Sequence, residues 1–527
     1  MSSSAAGPAP PHSGGRHAAQ VAAGILLTRV LGYVRERVFA YYFGNHTAAA
    51  DAFRAALKIP NTIRNLLGEG TLSASFIPVY ASLHERDRTA ARALAGAILG
   101  LLLLATGALA VLGIALAPAI TTAVAAGFDA PRRDLTIVLV RILFPMTGVM
   151  VISAWCLGIL NTHRRFFLPY AAPVLWNVAG IVALVGAATW VVTPGLPPDT
   201  RLYRLALALA WGTVAGSVLQ VAVQLPACWT LLQGIALRFT SRVGGVREVL
   251  LAWGPVVIGA GVAQISGLID TLLGSFAGNA GVSSLGYAQL IQILPISVFG
   301  VSVAAVSLPD LSRDAIAAAP NEQLRGRIAA GFRRITYFVV PSSFLFAALG
   351  PVLVAALFQT GRFDADDTAL VGGVLAAYGI GLMGQATVKL FASGFYALRD
   401  TRTPVKIAAF SVLLSSALAY VFMHRYGPAG IALGSSLGAW VNVVLHLNDL
   451  DRRIGTVMSG RDWRAFAGTL VSALAASGAG VVTAHLAAGL APIPLAVVVV
   501  SIFGAVYFGC TLVLQHPDAA RLWMSLR

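Results

Sequence analysis

Nine charged side chains fall between positions 29 and 69 of a chain that is otherwise poor in charge, with the amide of Asn61 among them. The stretch "TRVLGYVRERVFAYYFG" carries Arg29, Arg35, Glu36 and Arg37, and "ADAFRAALKIPNTIRNLLGEG" carries Asp51, Arg54, Lys58, Asn61, Arg64 and Glu69. Six are cations and three are carboxylates, so mutual pairing leaves a surplus of three positive charges. Both stretches are otherwise largely apolar, and an uncompensated cation persists inside a bilayer only beside water or an anion. On an ideal helix Asp51, Arg54, Lys58 and Asn61 stand at i, i+3, i+7 and i+10, an arc of about 80°. Arg64 falls off that stripe, and Glu69 returns to it if the helix continues. In the earlier stretch Arg29 and Glu36 share a face, Arg37 stands beside them and Arg35 points further round, unless Gly32 bends the segment. Ion pairs that merely staple helices together account for part of the set, Glu36 with a neighbouring arginine first of all. They do not absorb the surplus. A guanidinium fork grips phosphate oxygens through two parallel hydrogen bonds, so the chemistry expected is capture of a diphosphate-like headgroup in a wet cavity.

The elements that must position these groups are membrane helices. Of 527 residues 57% are hydrophobic and only 11% charged, where a soluble chain carries about a quarter. Mean hydropathy is +0.79. The net charge of +16 is therefore read as a membrane-topology signal, and nucleic acid is not expected as a partner. A span needs about 20 apolar residues. Fourteen candidates lie near 20–43, 50–82, 93–123, 135–160, 168–193, 203–232, 247–277, 282–308, 332–359, 367–396, 403–424, 428–448, 464–488 and 492–515. The second is over-long, and Pro60, Gly68 and Gly70 mark a bend or break in it. With both termini inside, inner loops carry roughly four arginines or lysines for each outer one, which agrees with the positive-inside rule. Residues 1–20 are rich in Pro, Gly and Ser and read as a disordered cytoplasmic tail, with no cleavable signal peptide. Cys156, Cys228 and Cys510 stand alone in apolar runs and read as small core hydrophobes.

A weak internal repeat is present. "FGNHTAAADAFRAALKIP" and "AGNAGVSSLGYAQLIQILP" each leave a Gly-Asn turn and reach a proline, Pro60 and Pro295, and each continues to a second, Pro78 and Pro309. The organisation expected is an all-α polytopic protein of two pseudo-symmetric six-helix lobes, 21–235 and 236–455, with two further helices and a short tail over 456–527. Repeats of this kind are common in secondary transporters, with the substrate site between the halves. Other charges within spans are sparse: Arg141, Asp270 and Lys389. Asp270 is a candidate for ion coupling, with structural pairing to an arginine as the competing reading. His46, His163, His424, His446 and His485 lie singly near span ends, without metal-ligand spacing. An enzyme acting on a nucleotide would need clustered loop carboxylates. Asp310, Asp314 and Glu322 in the longest loop, and "DADD" at 364–367, form no such motif, so catalysis is not expected.

"TRVLGYVRERVFAYYFG", "ADAFRAALKIPNTIRNLLGEGTLSASFIPVY" and "FYALRDTRTPVKIA" together resemble the lipid II flippase family (MurJ/MviN-like) of the multidrug/oligosaccharidyl-lipid/polysaccharide exporter superfamily, and the likeness runs across all fourteen spans. The resemblance implies a bacterial inner-membrane transporter that moves the undecaprenyl-pyrophosphate-linked muropeptide, lipid II, to the outer leaflet by alternating access, in support of cell-wall synthesis. It also implies membrane lipids and the cell-wall machinery as partners, and a groove at the two last helices for the lipid tail. No cofactor is implied beyond a driving Na+, H+ or membrane potential. The family's cavity positions fall on Arg29, Arg35, Asp51, Asn61, Arg64 and Glu69. The chain departs from the pattern at Gln289 and Leu290, where a charged "YA-(D/N)-R-L" is usual, and at "SVLLSSALAY", where an Asn or Asp is usual. These departures keep open a different polyprenyl-linked glycan, a drug exporter of the same superfamily, or a non-transporting cell-wall scaffold. A surplus of positive charge disfavours organic cations as cargo.

Overall fold

The computed structural model describes residues 13–191, 195–301 and 320–526. Every regular element within them is helical, apart from an isolated bridge between Thr360 and Phe363. The helices are α1 (Ser13–Phe43), α2 (Ala48–Leu67), α3 (Glu69–Arg86), α4 (Arg88–Ala115), α5 (Ala117–Val124), α6 (Ala130–Thr162), α7 (Phe167–Ala171), α8 (Pro173–Gly186), α9 (Pro198–Leu232), α10 (Val246–Phe276), α11 (Gly281–Pro295), α12 (Pro320–Phe358), α13 (Ala365–Ala397), α14 (Arg402–Ile454), α15 (Gly460–Leu486), α16 (Pro492–Val513) and α17 (Pro517–Leu526). Single π-turns continue α8 over Ala187–Val191 and α11 over Ile296–Val301.

The all-α polytopic class holds. Among the described residues ten helical stretches are long and apolar enough to cross a membrane. The expected fourteen goes beyond these ten, which do not include α1, α2, α3 or α10. Outward-facing Leu104, Val111, Leu413, Val421, Val471 and Leu474 are exposed, as lipid-facing side chains must be. α14 has 53 residues, and a straight helix of that length would be about 80 Å long. It folds back instead at Gly427 (φ 55°, ψ −136°). The two arms then pack through small residues: a Cβ on Gly434 would lie 2.3 Å from the Ala419 nitrogen, and one on Gly438 2.4 Å from Ser415 Cβ. The break expected in the second span falls at Gly68, while Pro60 lies inside α2. A Cβ at Gly68 would sit 2.7 Å from the Arg64 carbonyl oxygen, so glycine is required there. α1 starts at Ser13, within the stretch expected as a tail; residues 1–12, like Pro309, Asp310 and Asp314, lie outside the described residues.

The chain forms two compact units. The first comprises the residues up to Phe39, Ala56–Thr121 and Asp134–Gln264. Its core gathers Phe76, Tyr80, Leu94, Ile98, Trp155, Ile159 and Leu232. The Trp155 indole N–H donates to the Ala95 carbonyl, and Ser153 Oγ accepts from the buried amides of Gln220 and Gln224, tying α6 to α9. Asp87 caps α4 by accepting from the Thr89 and Ala90 N–H groups.

The second unit comprises Ala40–Ala55, Thr122–Arg133 and the residues from Ile265 onward. Tyr287, Phe358 and Phe363 cluster with ring centroids 4.9–6.0 Å apart. α13 packs on α14 through Gly381 and Gly384, and Ser436 Oγ donates to the Ala377 carbonyl. α16 joins α12 through the hydrogen bond from Tyr507 Oη to the Tyr337 carbonyl.

Candidate anion-binding site

α2 buries Ala52, Phe53, Ala55, Ala56 and Ile59. Arg54, Lys58, Asn61 and Arg64 are partly exposed on its remaining face, at intervals of four, three and three residues. Asp51, the fourth member of the stripe read from the sequence, is fully buried, while Arg64, which an ideal helical wheel puts off that stripe, shares the partial exposure of Arg54, Lys58 and Asn61. The Arg54 guanidinium lies over the Tyr287 ring, 3.9 Å from its centroid. Asn61 Oδ1 and Arg64 Nε are buried atoms without a hydrogen-bond partner among the described residues. They stand one turn apart on α2. Buried polar atoms are nearly always satisfied, so an acceptor and a donor left open side by side mark a place where water or a ligand group belongs. Asn65 reaches toward Gln264 at 3.4 Å, and Arg64 toward Asn65 Oδ1 at 3.5 Å, both weak contacts.

Asp51 stands at the other end of the stripe in a different situation. Its carboxylate is fully buried; Oδ1 accepts the Ser283 N–H at 2.8 Å and Oδ2 the Ala280 N–H at 3.0 Å. Arg132 Nη1 lies 3.8 Å away and Arg132 donates to Asn279 Oδ1. Asp51 therefore satisfies orphan donors at the start of α11, where Ala280 adopts a left-handed φ of 69°. Asn45, also fully buried, donates to Ser284 Oγ, accepts from Ser283 Oγ and gives its backbone N–H to Asp367 Oδ2. Asp367 also contacts His46 Nδ1. The two Gly-Asn turns that the sequence repeat picked out are thus held together by a polar network. Asp367, in the "DADD" segment, and Arg132 are the members that sequence reasoning missed; their only signal was a charge beside a turn.

On α1 Arg35 is ion-paired to Glu36 at 2.6 Å and its guanidinium lies over Trp176 of α8, 4.2 Å from the ring centroid. Arg29 is exposed, and Arg37 is half-buried. Glu69 opens α3, and its side chain lies outside the described residues. Asp270 accepts from Ser435 Oγ at 3.3 Å, and Gln289 donates to Tyr378 Oη at 3.0 Å. Gln289 thus has a neutral hydrogen bond where the resemblance led one to expect a charge. Among the described residues no group of three or more His, Cys, Asp or Glu is placed to hold a metal.

A family profile described as "Lipid II flippase MurJ" matches residues 39–502. The "Lipid II flippase MurJ" of Burkholderia cenocepacia is 35% identical over 455 residues, covering 85% of this chain and 86% of its own length. The "Probable lipid II flippase MurJ" of Rhizobium tropici is 31% identical over 469 residues, 87% of this chain and 85% of its own. Among solved structures, "Lipid II flippase MurJ, inward closed conformation" superposes with a TM-score of 0.77 at 22% identity, over 94% of this chain and 98% of that one. An inward-facing multidrug resistance MATE transporter of the MOP superfamily superposes with a TM-score of 0.65 at 18% identity, over 84% and 98%. At such identities the structural likeness speaks for the fold.

Proposed function

The chain belongs to the lipid II flippase MurJ family, and from that premise we propose that it moves lipid II from the inner to the outer leaflet of the bacterial inner membrane by alternating access, both termini being cytoplasmic. The observation that carries this reading is the α2 face, where Arg54, Lys58, Asn61 and Arg64 line up and Asn61 Oδ1 and Arg64 Nε are left open. In the mechanism we propose, a cationic central cavity receives the diphosphate while the polyprenyl tail stays in lipid. Arg64 supplies a planar donor fork to the diphosphate oxygens, Asn61 takes a hydroxyl or amide donor of the same headgroup, and Arg54 and Lys58 balance its remaining charge. Arg29 adds to the positive field and Glu69 is retained as a cavity residue, while Arg35 and Asp51 act by positioning. Asp270, beside Ser435, is our candidate for coupling to Na+ or H+. No chemical step on the substrate is needed, since the leaflet exchange breaks no bond.

The test is transport of fluorescently labelled lipid II in vesicles containing the purified protein. The wild type should make outer-leaflet lipid II accessible, and R64A and N61A, inserted at equal amounts, should each slow this at least about tenfold, the loss of one charge-assisted contact. Wild-type rates in both variants would refute the site. A wild type that moves another polyprenyl-linked glycan but not lipid II would shift the substrate, a reading favoured by Gln289 and Leu290 standing where charges are usual.

A further inference from the structure

A cationic hollow lies in the C-terminal part of the chain. A cavity of about 710 Å³ opens where the start of α15, the end of α16 and the start of α17 meet Arg333 of α12. Its charged lining is Arg333, Arg461, Arg464 and Arg521 against the single carboxylate of Asp462. That carboxylate is already engaged: it accepts from the Ser459 N–H and hydroxyl in the capping box that opens α15, and it is ion-paired to Arg333. Arg521 has Asp518 at 3.8 Å. Among the described residues no carboxylate lies within ion-pair distance of Arg461 or Arg464, and both are exposed. His516, also in the lining, is stacked on Tyr337; burial holds its imidazole below its usual pKa, so it brings no charge at neutral pH.

An arginine that only sets topology needs to be on one side of the membrane. That role does not require four of them to line one hollow. The depth of the hollow points to the ligand's source, because it sits where α15 begins and α16 ends, at the limits of two spanning helices. Leu514 of the lining is exposed, and so are Trp523 and Met524 further along α17, as in an interfacial helix with its apolar side toward acyl chains. We propose that this cavity binds the phosphate headgroup of an anionic membrane phospholipid, with Arg461 and Arg464 gripping the phosphate oxygens and the exposed apolar side of α17 lying against the acyl chains. The test reads binding alone and does not depend on lipid II transport.

The experiment uses the full-length protein in uncharged detergent, titrated with dioleoyl phosphatidylglycerol, dioleoyl phosphatidylcholine or glycerol 3-phosphate. Retained lipid is counted by native mass spectrometry and the unfolding midpoint is followed in parallel. Phosphatidylglycerol should bind saturably and raise the midpoint, and the other two should not. R461Q/R464Q should weaken that binding about thirtyfold, taking about fivefold per arginine at an anionic lipid surface. R238Q/R242Q, in a different loop, should bind as the wild type. Unchanged affinity in R461Q/R464Q overturns the proposal, as does equal weakening in R238Q/R242Q, which would mean diffuse charge attraction. Glycerol 3-phosphate binding as tightly as the lipid also overturns it, in favour of a soluble anion. Should the double variant not fold, R464Q alone is expected to bind about fivefold more weakly, and wild-type affinity there counts against the site.

Discussion

Replacing Asp51 separates a positioning role from a ligand role. In Asp51→Ala the Ala280 and Ser283 N–H groups lose acceptors at 3.0 and 2.8 Å inside a site from which water is excluded. Each orphaned buried donor costs about 1–3 kcal/mol. Arg132 loses a carboxylate at 3.8 Å but keeps Asp129 at 3.7 Å and Asn279, so the charge left behind adds only about 1 kcal/mol. The sum is about 3–7 kcal/mol, a large share of the stability of a typical domain. Asp51→Asn keeps one acceptor for Ser283 and turns an amide toward Ala280, so about half of that loss is expected. The assay is the thermal midpoint in detergent, together with the monodisperse yield, for D51A, D51N, N61A and R64A. The order expected is D51A below D51N below wild type, with N61A and R64A at or above wild type, because they remove buried polar atoms, Asn61 Oδ1 and Arg64 Nε, that have no hydrogen-bond partner among the described residues. Transport per folded molecule should then be retained by D51N and lost in R64A. A D51A protein with the wild-type midpoint and no transport would refute the capping role and return Asp51 to the headgroup site.

Gly434→Leu should prevent the two arms of α14 from closing, since even a Cβ would lie 2.3–2.9 Å from Ala419 atoms; overpacking costs about 1–3 kcal/mol, more where backbone is the obstacle, and a lowered midpoint and yield would show it. Burial, with His84 and Arg88 adding repulsion, holds the His163 imidazole below its usual pKa, and Tyr80 Oη lies 3.1 Å from its Nε2. The unfolded chain therefore binds more protons as pH falls through about 6.5, so stability is full above that pH and declines below it until the folded pKa is passed. His163→Phe should flatten the fall in midpoint between pH 7.5 and 5.5, and an unchanged slope would count against it. Asp400, between two spans, is held below the usual carboxylate range by Thr403, with Arg453 adding to it, so its contribution is present above about pH 4 and lost as pH falls further. Asp400→Asn should remove that acid-side dependence from the midpoint profile. Gln289→Leu should leave the fully buried Tyr378 hydroxyl short of a partner and lower the midpoint by an amount equivalent to about 1–3 kcal/mol, without the electrostatic signature a charged residue there would give.

The membrane class was legible because apolar runs recur along the whole chain, and a run of that length has few alternatives. The fold-back of α14 was legible too: "RYGP" separates two apolar runs, and the structure turns at its glycine. The Gly-Asn repeat pointed to two related turns, and the network joining Asn45 and Asp51 to residues 280–284 gives that likeness a physical use. What the sequence could not give is the partner of each charge. A helical wheel fixes the angle of a side chain but not its neighbours. Asp51 and Asn61 therefore looked like members of one polar stripe, although the donors that occupy Asp51 lie about 230 positions away in the chain. Arg35 likewise reads as a free cation until Trp176, some 140 residues on, is seen beneath it. The useful distinction within the stripe is one of satisfaction. At one end a carboxylate is saturated by backbone donors and locks a turn. At the other an amide oxygen and a guanidinium nitrogen remain open. Charge counting finds both ends equally, and only the accounting of hydrogen bonds tells which end has something left to offer a substrate.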